Sequence, residues 1–444
     1  MTLPRARTPG PSPVGPTPAA REQGAEKSVA QTPAAQTPVA QTPAAENPAD
    51  LEACLAGWIR RRERSLLREM VTVVSRPGIL SLAGGLPAAE AFPSAEYAQA
   101  VSEVLAESPR ALQYSPAHER LKEQIVELMA WRGVDCAAEQ VVITTGAQQG
   151  IDVSTRLLLG HGGRVAYEEF AYTGIHQATA PFEPQVLTLP SHLEHGMDVE
   201  TLAGALERGA RPRFLYVIPD GHNPLGVSLA PARRSRLVAL AREHGLPIVE
   251  DDPYGLLGLD GDGFAPPLRA LDDEWVIYLG SFSKILAPGL RLGWMIVPAR
   301  LATRVSVVKE AGDLESSSLT QRAVSRLLDS GFLPDHVARL RSIYRRRRDA
   351  LLEALDRHLP SGARWTRPGG GMFVWVELDP QTDQEIDTVA ALRRCVEEAG
   401  VAFIPGAAFT QDATRGRGAL RLSFSTLEPD DIERAVATMA RFLR

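Results

Sequence analysis

The sequence predicts an α/β fold built around a mostly parallel, seven-stranded sheet. Three observations predict it. Seven short runs rich in aliphatic and β-branched residues, several apolar throughout, read as strands whose two faces are both covered. Helical patterns lie between most of them, the alternation expected of crossover connections. The polar groups capable of chemistry sit at the ends of these runs, where open α/β sheets bind ligands.

In chain order, Met1 to about Asp50 is Pro, Ala, Thr and Gln with a five-residue repeat (Ala30-Gln31-Thr32-Pro33-Ala34 and its two successors) and no aromatic residue. Such a segment cannot bury enough apolar surface to offset its ordering entropy, so residues 1–50 are expected to be a disordered tail. Leu51 to Ser75 has a helical pattern, with Leu66, Leu67, Met70 and Val74 on one face. Ile79–Pro87 reads as a short strand broken by Gly84 and Gly85. Strands are expected at Val141–Thr145, Arg164–Tyr167, Gln185–Leu189, Phe214–Ile218, Pro247–Glu250, Val276–Ser281 and Gly293–Val297. Helices are expected at Gln148–Leu159, Val199–Arg208 and Pro231–His244. Two long helical stretches follow, Leu301–Asp329 and Pro334–Leu359. The second carries Arg345-Arg346-Arg347-Arg348, read as a solvated face with Leu340, Tyr344 and Leu351 turned inward. The remainder reads strand (Met372–Leu378), helix (Ile386–Ala399), two short strands (Val401–Ile404, Ala419–Phe424) and helix (Asp430–Leu443). That makes a smaller α+β domain, with the N-terminal helix packed on it. The implied organisation is 1–50 tail, 51–90 helix and strand packing on the small domain, 91–330 large domain and 331–444 small domain.

At 444 residues the chain exceeds what one hydrophobic core usually supports. A formal net charge of −6 gives no electrostatic case for nucleic acid. Cys54, Cys136 and Cys395 are odd in number and widely spaced, which suggests neither a disulfide framework nor a metal site and fits a reducing compartment. No apolar run is long enough to span a bilayer, and the N-terminus lacks the apolar core of a signal peptide. A cytoplasmic location is expected.

The chain is organised around Val276–Lys284, a buried strand that runs through a Gly/Ser turn onto a lysine. A desolvated lysine sheds its proton readily, and a neutral amine condenses with an aldehyde to form a Schiff base. The other lysines, Lys27, Lys122 and Lys309, lie in a polar tail or polar helical stretches. The turn Thr144-Thr145-Gly146-Ala147-Gln148 leads a strand into a helix, whose N-terminus favours an anion such as phosphate. Ser281, Ser283 and Arg291 can add donors to it. Glu250-Asp251-Asp252-Pro253-Tyr254 ends a strand on carboxylates, one of which could hold a proton on a ring nitrogen. Asn223 and Tyr254 can reach a phenolic oxygen, Tyr172 can lay its ring on a planar cofactor, and Arg421, a charge among apolar residues, needs an anionic partner. Each motif alone is also an ordinary turn.

Together, in this order, these segments resemble the fold-type I pyridoxal-phosphate aminotransferases of class I/II, in the branch that holds 2-aminoadipate and kynurenine aminotransferases and the enzyme-like half of fused transcription regulators. The matches run from Ala83-Gly84-Gly85-Leu86-Pro87 through Asn223-Pro224-Leu225-Gly226 and Ser281-Phe282-Ser283-Lys284 to Arg421. The resemblance implies pyridoxal 5'-phosphate held by Lys284 as a Schiff base. Asp251 would face the ring nitrogen, Tyr254 and Asn223 the ring hydroxyl, and Tyr172 the ring face. Gly146, Ala147, Gln148, Ser281, Ser283 and Arg291 would surround the phosphate. Arg421 would bind the substrate carboxylate, with Asn223 and Gly85 beside it, and Tyr114 would reach the phosphate of a neighbouring subunit in a homodimer. The implied reaction moves an amino group from an amino acid to a 2-oxo acid, with 2-oxoglutarate the expected acceptor and no metal. Arg68 is a candidate contact for the substrate side chain. His222, where the family often has Gln, is read as a polar neighbour. The alternatives are an oxidase, decarboxylase or cyclase using the same cofactor, or a regulator. Residues 1–50 are too short and too simple in composition for the DNA-binding domain a regulator would need.

Overall fold

The computed structural model describes residues 51–60, 78–261, 263–378, 386–412 and 414–443. The expected tail 1–50, the helical face Leu66–Val74 and Arg68 lie outside these residues. The chain divides into two compact units, Met1–Leu55 and Ala56–Arg444. The first contributes a short turn of 3-10 helix, Leu51–Cys54. All that follows belongs to the second.

All seven expected strands of the main sheet are present. They are β1 (Val141–Thr144), β2 (Arg164–Glu168), β3 (Gln185–Leu189), β4 (Leu215–Val217), β5 (Ile248–Asp251), β6 (Val276–Ser281) and β7 (Gly293–Ile296). Their order across the sheet is β1-β7-β6-β5-β4-β2-β3. Only β7 runs against its neighbours. Successive residues of a strand point to opposite faces, and in all but the edge strand β3 both faces are buried. Ala166, Leu215, Val217, Ile248 and Val276 meet Leu202, Leu206, Leu237 and Leu240 of helices Val199–Glu207 and Pro231–His244. Val165, Tyr167, Phe214, Tyr216, Val249 and Ile277 face a second, larger core. This two-sided burial is why the strands read as continuous apolar runs.

The second sheet is antiparallel. It contains β8 (Arg364–Trp365), β9 (Phe373–Glu377), β10 (Ile404–Pro405) and β11 (Ala419–Ser423), in the order β8-β9-β11-β10. Helices Phe332–His358, Thr388–Ala399 and Pro429–Met439 supply Leu351, Leu392 and Ile432 to the core beside it. Leu80–Ser81 pairs in parallel with Val401–Ala402, and the Tyr344 hydroxyl accepts from Ala88 N at 3.0 Å.

Three expectations change. The long helix expected over Leu301–Asp329 is two, Ala302–Asp313 and Ser318–Asp329. Leu314 turns left-handed (φ 59°), and the Ser317 side chain then caps the second helix by accepting from Thr320 N. The strand expected at Val401–Ile404 divides into two short segments that join different sheets. The run Arg345–Arg348 is not wholly a solvated face. Arg347 is 1% exposed and bonded to Glu90, Glu428 and Ser425 O. Arg348 is also buried, against Asp260 and Pro368 O. The apolar periodicity of the helix was a sound guide to Leu340, Tyr344 and Leu351, but it carries no information about carboxylates brought in from distant loops.

Gly280 lies opposite Trp294 across the β6–β7 pair, and a Cβ built on it would stand 2.2 Å from the indole. Gly280→Ala is therefore expected to lower stability by about 1–3 kcal/mol through overpacking. The check is the urea midpoint, followed by tryptophan fluorescence, against Gly312→Ala, where a Cβ meets nothing.

Candidate functional site

Lys284 follows β6 in a tight turn closed by Leu286 N donating to Phe282 O at 2.8 Å. Its Nζ donates to Gly85 O at 2.7 Å. The residue keeps a partial opening, but its amine is crowded by protein atoms. Burial, reinforced by the cations of Arg421 and Arg291, pulls its pKa down to about 8. Lys309, which its polar surroundings had marked as unremarkable, is also buried, and its amine pairs with Asp313 at 2.9 Å.

The three acids at the end of β5 have three different surroundings. Glu250 accepts from the backbone N–H groups of Leu268 and Arg269 at 2.7 and 2.8 Å, yet burial still pushes its pKa up to about 8. Asp252 accepts from the Tyr278 hydroxyl at 3.0 Å and pairs with Arg132 at 3.4 Å. Arg132 also pairs with Asp220 at 3.0 Å, and Asp220 is in turn bonded to Arg234, so a buried ionic cluster anchors the ends of β4 and β5. Asp251 has no cation of this kind. Its Oδ2 accepts from the Tyr216 hydroxyl at 2.6 Å, while its buried Oδ1 has no partner among the described residues. Burial is the largest influence on it. The Tyr216 hydrogen bond opposes and the Asp252 charge adds, leaving the pKa raised to about 7.

The turn after β1 has the features that suit an anion. Gly146 precedes helix Ala147–Leu158 with φ 104°, a conformation that favours glycine. The first N–H groups of a helix, here those of Ala147 and Gln148, have no carbonyl ahead of them within the helix. The Gln148 side chain is turned aside, donating to Gly174 O at 3.1 Å. A Cβ on Gly146 would stand 3.3 Å from the Arg291 guanidinium, so a cation lies at the positive end of this helix. Arg291 itself is held left-handed, φ 48°. The Ser281 and Ser283 hydroxyls are joined at 2.9 Å nearby in the chain, and Ser283 N donates to Ser281 Oγ.

On the other side, Arg421 from β11 donates to Asn223 Oδ1 at 2.8 Å and Ala83 O at 2.6 Å. Its guanidinium lies over two rings, 4.3 Å from the Phe373 centroid and 4.7 Å from Phe409. Burial lowers its pKa to about 10, so it stays charged at neutral pH, with Nε unpartnered. Asn223 also hydrogen-bonds the Tyr254 phenol, whose pKa burial pushes up. Tyr172, at the start of helix Thr173–Thr179, is close enough to Asp251 and Arg291 to feel both charges. Gly85 supplies the carbonyl to Lys284 and sits against Phe373, 2.6 Å from where its Cβ would be. His222 accepts from Leu225 N through Nδ1 and meets Glu168 through Nε2 at 3.0 Å, as a polar neighbour would. Tyr114 stands apart. It is 79% exposed, and among the described residues it has no hydrogen bond to this cluster. Sequence reading missed Tyr216, Tyr278 and Arg132. The two tyrosines lie within strands that score as apolar, and Arg132 lies just after a helix, with no motif around it.

The family model for aminotransferases of class I and II matches residues 77–439. The chain belongs to the class I and II aminotransferases. It is similar to a 2-aminoadipate transaminase of Thermus thermophilus, 41% identical over 391 residues covering 86% of this chain and 95% of that one. It is also similar to the mitochondrial kynurenine/alpha-aminoadipate aminotransferase of Bos taurus, 30% identical over 428 residues covering 86% and 96%. The crystal structure of LysN, an alpha-aminoadipate aminotransferase from Thermus thermophilus complexed with N-(5'-phosphopyridoxyl)-L-leucine, superposes with a TM-score of 0.80 at 38% identity, covering 88% of this chain and 97% of that one. This aminotransferase is therefore a pyridoxal-phosphate-dependent transaminase acting on amino acids and 2-oxo acids.

Its own residues fit that cofactor. Lys284, Arg291 and Arg421 bring three cations to a site whose facing carboxylate is Asp251, so anionic ligands are needed to balance it. The unpartnered Asp251 Oδ1 and the helix N-terminus beside Arg291 are complementary to a ring N–H and a phosphate. Among the described residues no His, Cys, Asp and Glu group could hold a metal, and no helix is long and apolar enough to cross a membrane.

A raised folded-state pKa at Asp251 means that the folded protein binds more protons than the unfolded one between about 3.8 and 7. The cost of burying this acid therefore grows as pH rises through that window and is complete above it. With cofactor removed, Asp251→Asn is expected to melt higher than the parent at pH 8, by at most about 4 kcal/mol of stability. The gain should shrink as pH falls toward 4, which melting curves across that range would show.

Proposed function

We propose that this aminotransferase takes its amino group from a 2-aminoadipate-like, kynurenine-like or aromatic amino acid and passes it to 2-oxoglutarate, with Lys284 carrying the cofactor through its amine. The observation that carries the reading is the Lys284 amine, lowered to about 8 by burial and by Arg421 and Arg291, at a strand end beside an unpartnered buried carboxylate oxygen. The names of the two related enzymes support the 2-aminoadipate-like and kynurenine-like donors.

Pyridoxal phosphate supplies an aldehyde that takes up amines and a ring that withdraws electrons from the carbon being deprotonated. The rest falls to the chain. Lys284, whose pKa of about 8 leaves a fraction of its amines unprotonated at neutral pH, would serve as the base that takes the substrate's α-proton and gives it back. Asp251 keeps the ring nitrogen charged. Tyr254 and Asn223 hold the ring oxygen, and Tyr172 covers the ring. Gly146, Ala147, Gln148, Ser281, Ser283 and Arg291 hold the phosphate. Arg421, steadied by Phe373 and Phe409, grips the substrate α-carboxylate, with Gly85 and Asn223 beside it. The exposed Tyr114 suits a homodimer in which it reaches the partner's phosphate. The proposed organisation is a large domain over 91–330 and a small one over 331–444 with 51–90, working in the cytoplasm.

The test is incubation with 2-oxoglutarate and a panel of amino acids, reading glutamate. Glutamate from 2-aminoadipate, kynurenine or an aromatic donor is expected. No glutamate from any donor, with the cofactor absorbance still responding, would overturn the reading. Lys284→Ala should lose the borohydride-fixed cofactor and about 10²–10⁴-fold in turnover. Arg421→Lys replaces a planar fork with a point charge, and should raise KM for donor and acceptor alike by roughly tenfold while the cofactor remains bound.

A further inference from the structure

We propose that Tyr216 is a positioning residue for the cofactor: its phenol fixes Asp251 Oδ2 so that Oδ1 is the oxygen offered to the ring nitrogen. The inference rests on the reading above, in which Asp251 serves that nitrogen.

The geometry comes from adjacent strands. Tyr216 is the middle residue of β4, and β4 pairs in parallel with β5, setting Tyr216 beside Val249 and Val217 beside Glu250. The Tyr216 side chain thus lies on the same face as that of Asp251, two residues beyond Val249, and its hydroxyl reaches Oδ2 at 2.6 Å. Tyr216 is 2% exposed, as is Asp251. Burial and the neighbouring Asp251 charge push the phenol's pKa well above its ordinary value, so it stays protonated and remains the donor. A carboxylate with one oxygen held this way cannot rotate freely. Its second oxygen is buried and, among the described residues, has no partner and no cation of the sort Arg132 supplies to Asp252. The same hydrogen bond favours the ionised carboxylate, the form a charged ring nitrogen requires. Without the phenol, Asp251 would be both freer to turn and more easily neutralised.

The fold supplies its own control. Tyr278, on β6, is also buried, and its hydroxyl donates to Asp252 Oδ2 at 3.0 Å. Removing that hydroxyl also strips a buried acid of a donor, but the acid belongs to the Arg132 cluster.

The experiment compares Tyr216→Phe, Tyr278→Phe, Asp251→Asn and the Tyr216→Phe/Asp251→Asn pair, each as purified holoenzyme. It measures the pyridoxal phosphate dissociation constant, the pH dependence of the cofactor's visible absorbance, kcat and KM, and melting temperature. Tyr216→Phe is expected to weaken cofactor binding about tenfold, as for a hydrogen bond to a charged group. It should also move the pH midpoint of the absorbance and lower kcat with little change in KM. Tyr278→Phe should change melting temperature alone. In the Asp251→Asn background, Tyr216→Phe should add nothing, since the two act as one unit. If Asp251→Asn is impaired while Tyr216→Phe keeps parental affinity and absorbance titration, the proposal is overturned and the reading of Asp251 stands. The proposal also fails if Tyr278→Phe matches Tyr216→Phe in affinity and titration, or if the pair is additive. If Asp251→Asn leaves affinity and titration unchanged, the reading of Asp251 falls and takes this proposal with it.

Discussion

The constraint on which the site depends is the burial of the Asp251 carboxylate without a cation bonded to it. Taking an ionised acid out of water is costly unless something replaces its hydration. Around Asp251 the protein supplies one phenol and leaves the second oxygen unpaired, so the pKa drifts up to about 7. Opposite lie three cations, two of them losing protons more readily than usual for the same reason. The imbalance is unfavourable for an isolated chain and, on the proposed reading of the site, would become favourable with a dianionic phosphate, a ring cation and a substrate carboxylate in place. Stability has been given up at the points where ligand charge is received.

The scaffold that makes this tolerable is ionic as well as apolar. Arg132, Arg234, Asp220 and Asp252 form a cluster with almost no exposure at the ends of β4 and β5. Breaking such a cluster by removing one partner costs far more than the intact pairs contribute. It therefore acts as a lock on geometry. The two strand ends that carry Asp251 and Asn223 are kept in register by it, while the surrounding core fills both sides of the sheet.

Much of this was readable beforehand. The seven strands and their order in the chain follow from apolar runs, because two-sided burial leaves a plain mark on a sequence; Lys284, Asp251 and Asn223 stand at or beyond the ends of such runs, Arg421 stood out as a charge among apolar residues, and their grouping around one ligand came from the family resemblance. What escaped depends on contacts between distant segments. Tyr216 and Tyr278 look like core residues, and only the fold shows that each hydroxyl finds an acid on the next strand. Arg347 and Arg348 look like solvated charges until Glu90, Glu428 and Asp260 arrive from elsewhere. The break at Leu314 falls in Gly312-Asp313-Leu314-Glu315-Ser316-Ser317-Ser318, whose glycine and serines are turn signals that a count of apolar periodicity does not register.

The antiparallel strand β7 has a consequence of its own. Gly293 is paired on one side with Ser281, where the chain leaves for Lys284, and on the other with Thr144, where it leaves for the helix that begins at Ala147. The turn that carries the amine and the turn proposed to hold the phosphate thus start level with each other, two strand widths apart, roughly 10 Å. That span is ruled by the hydrogen-bond spacing of the sheet and does not depend on how either loop relaxes. The protein carries in its backbone a fixed gauge for the length of molecule it can hold by both ends.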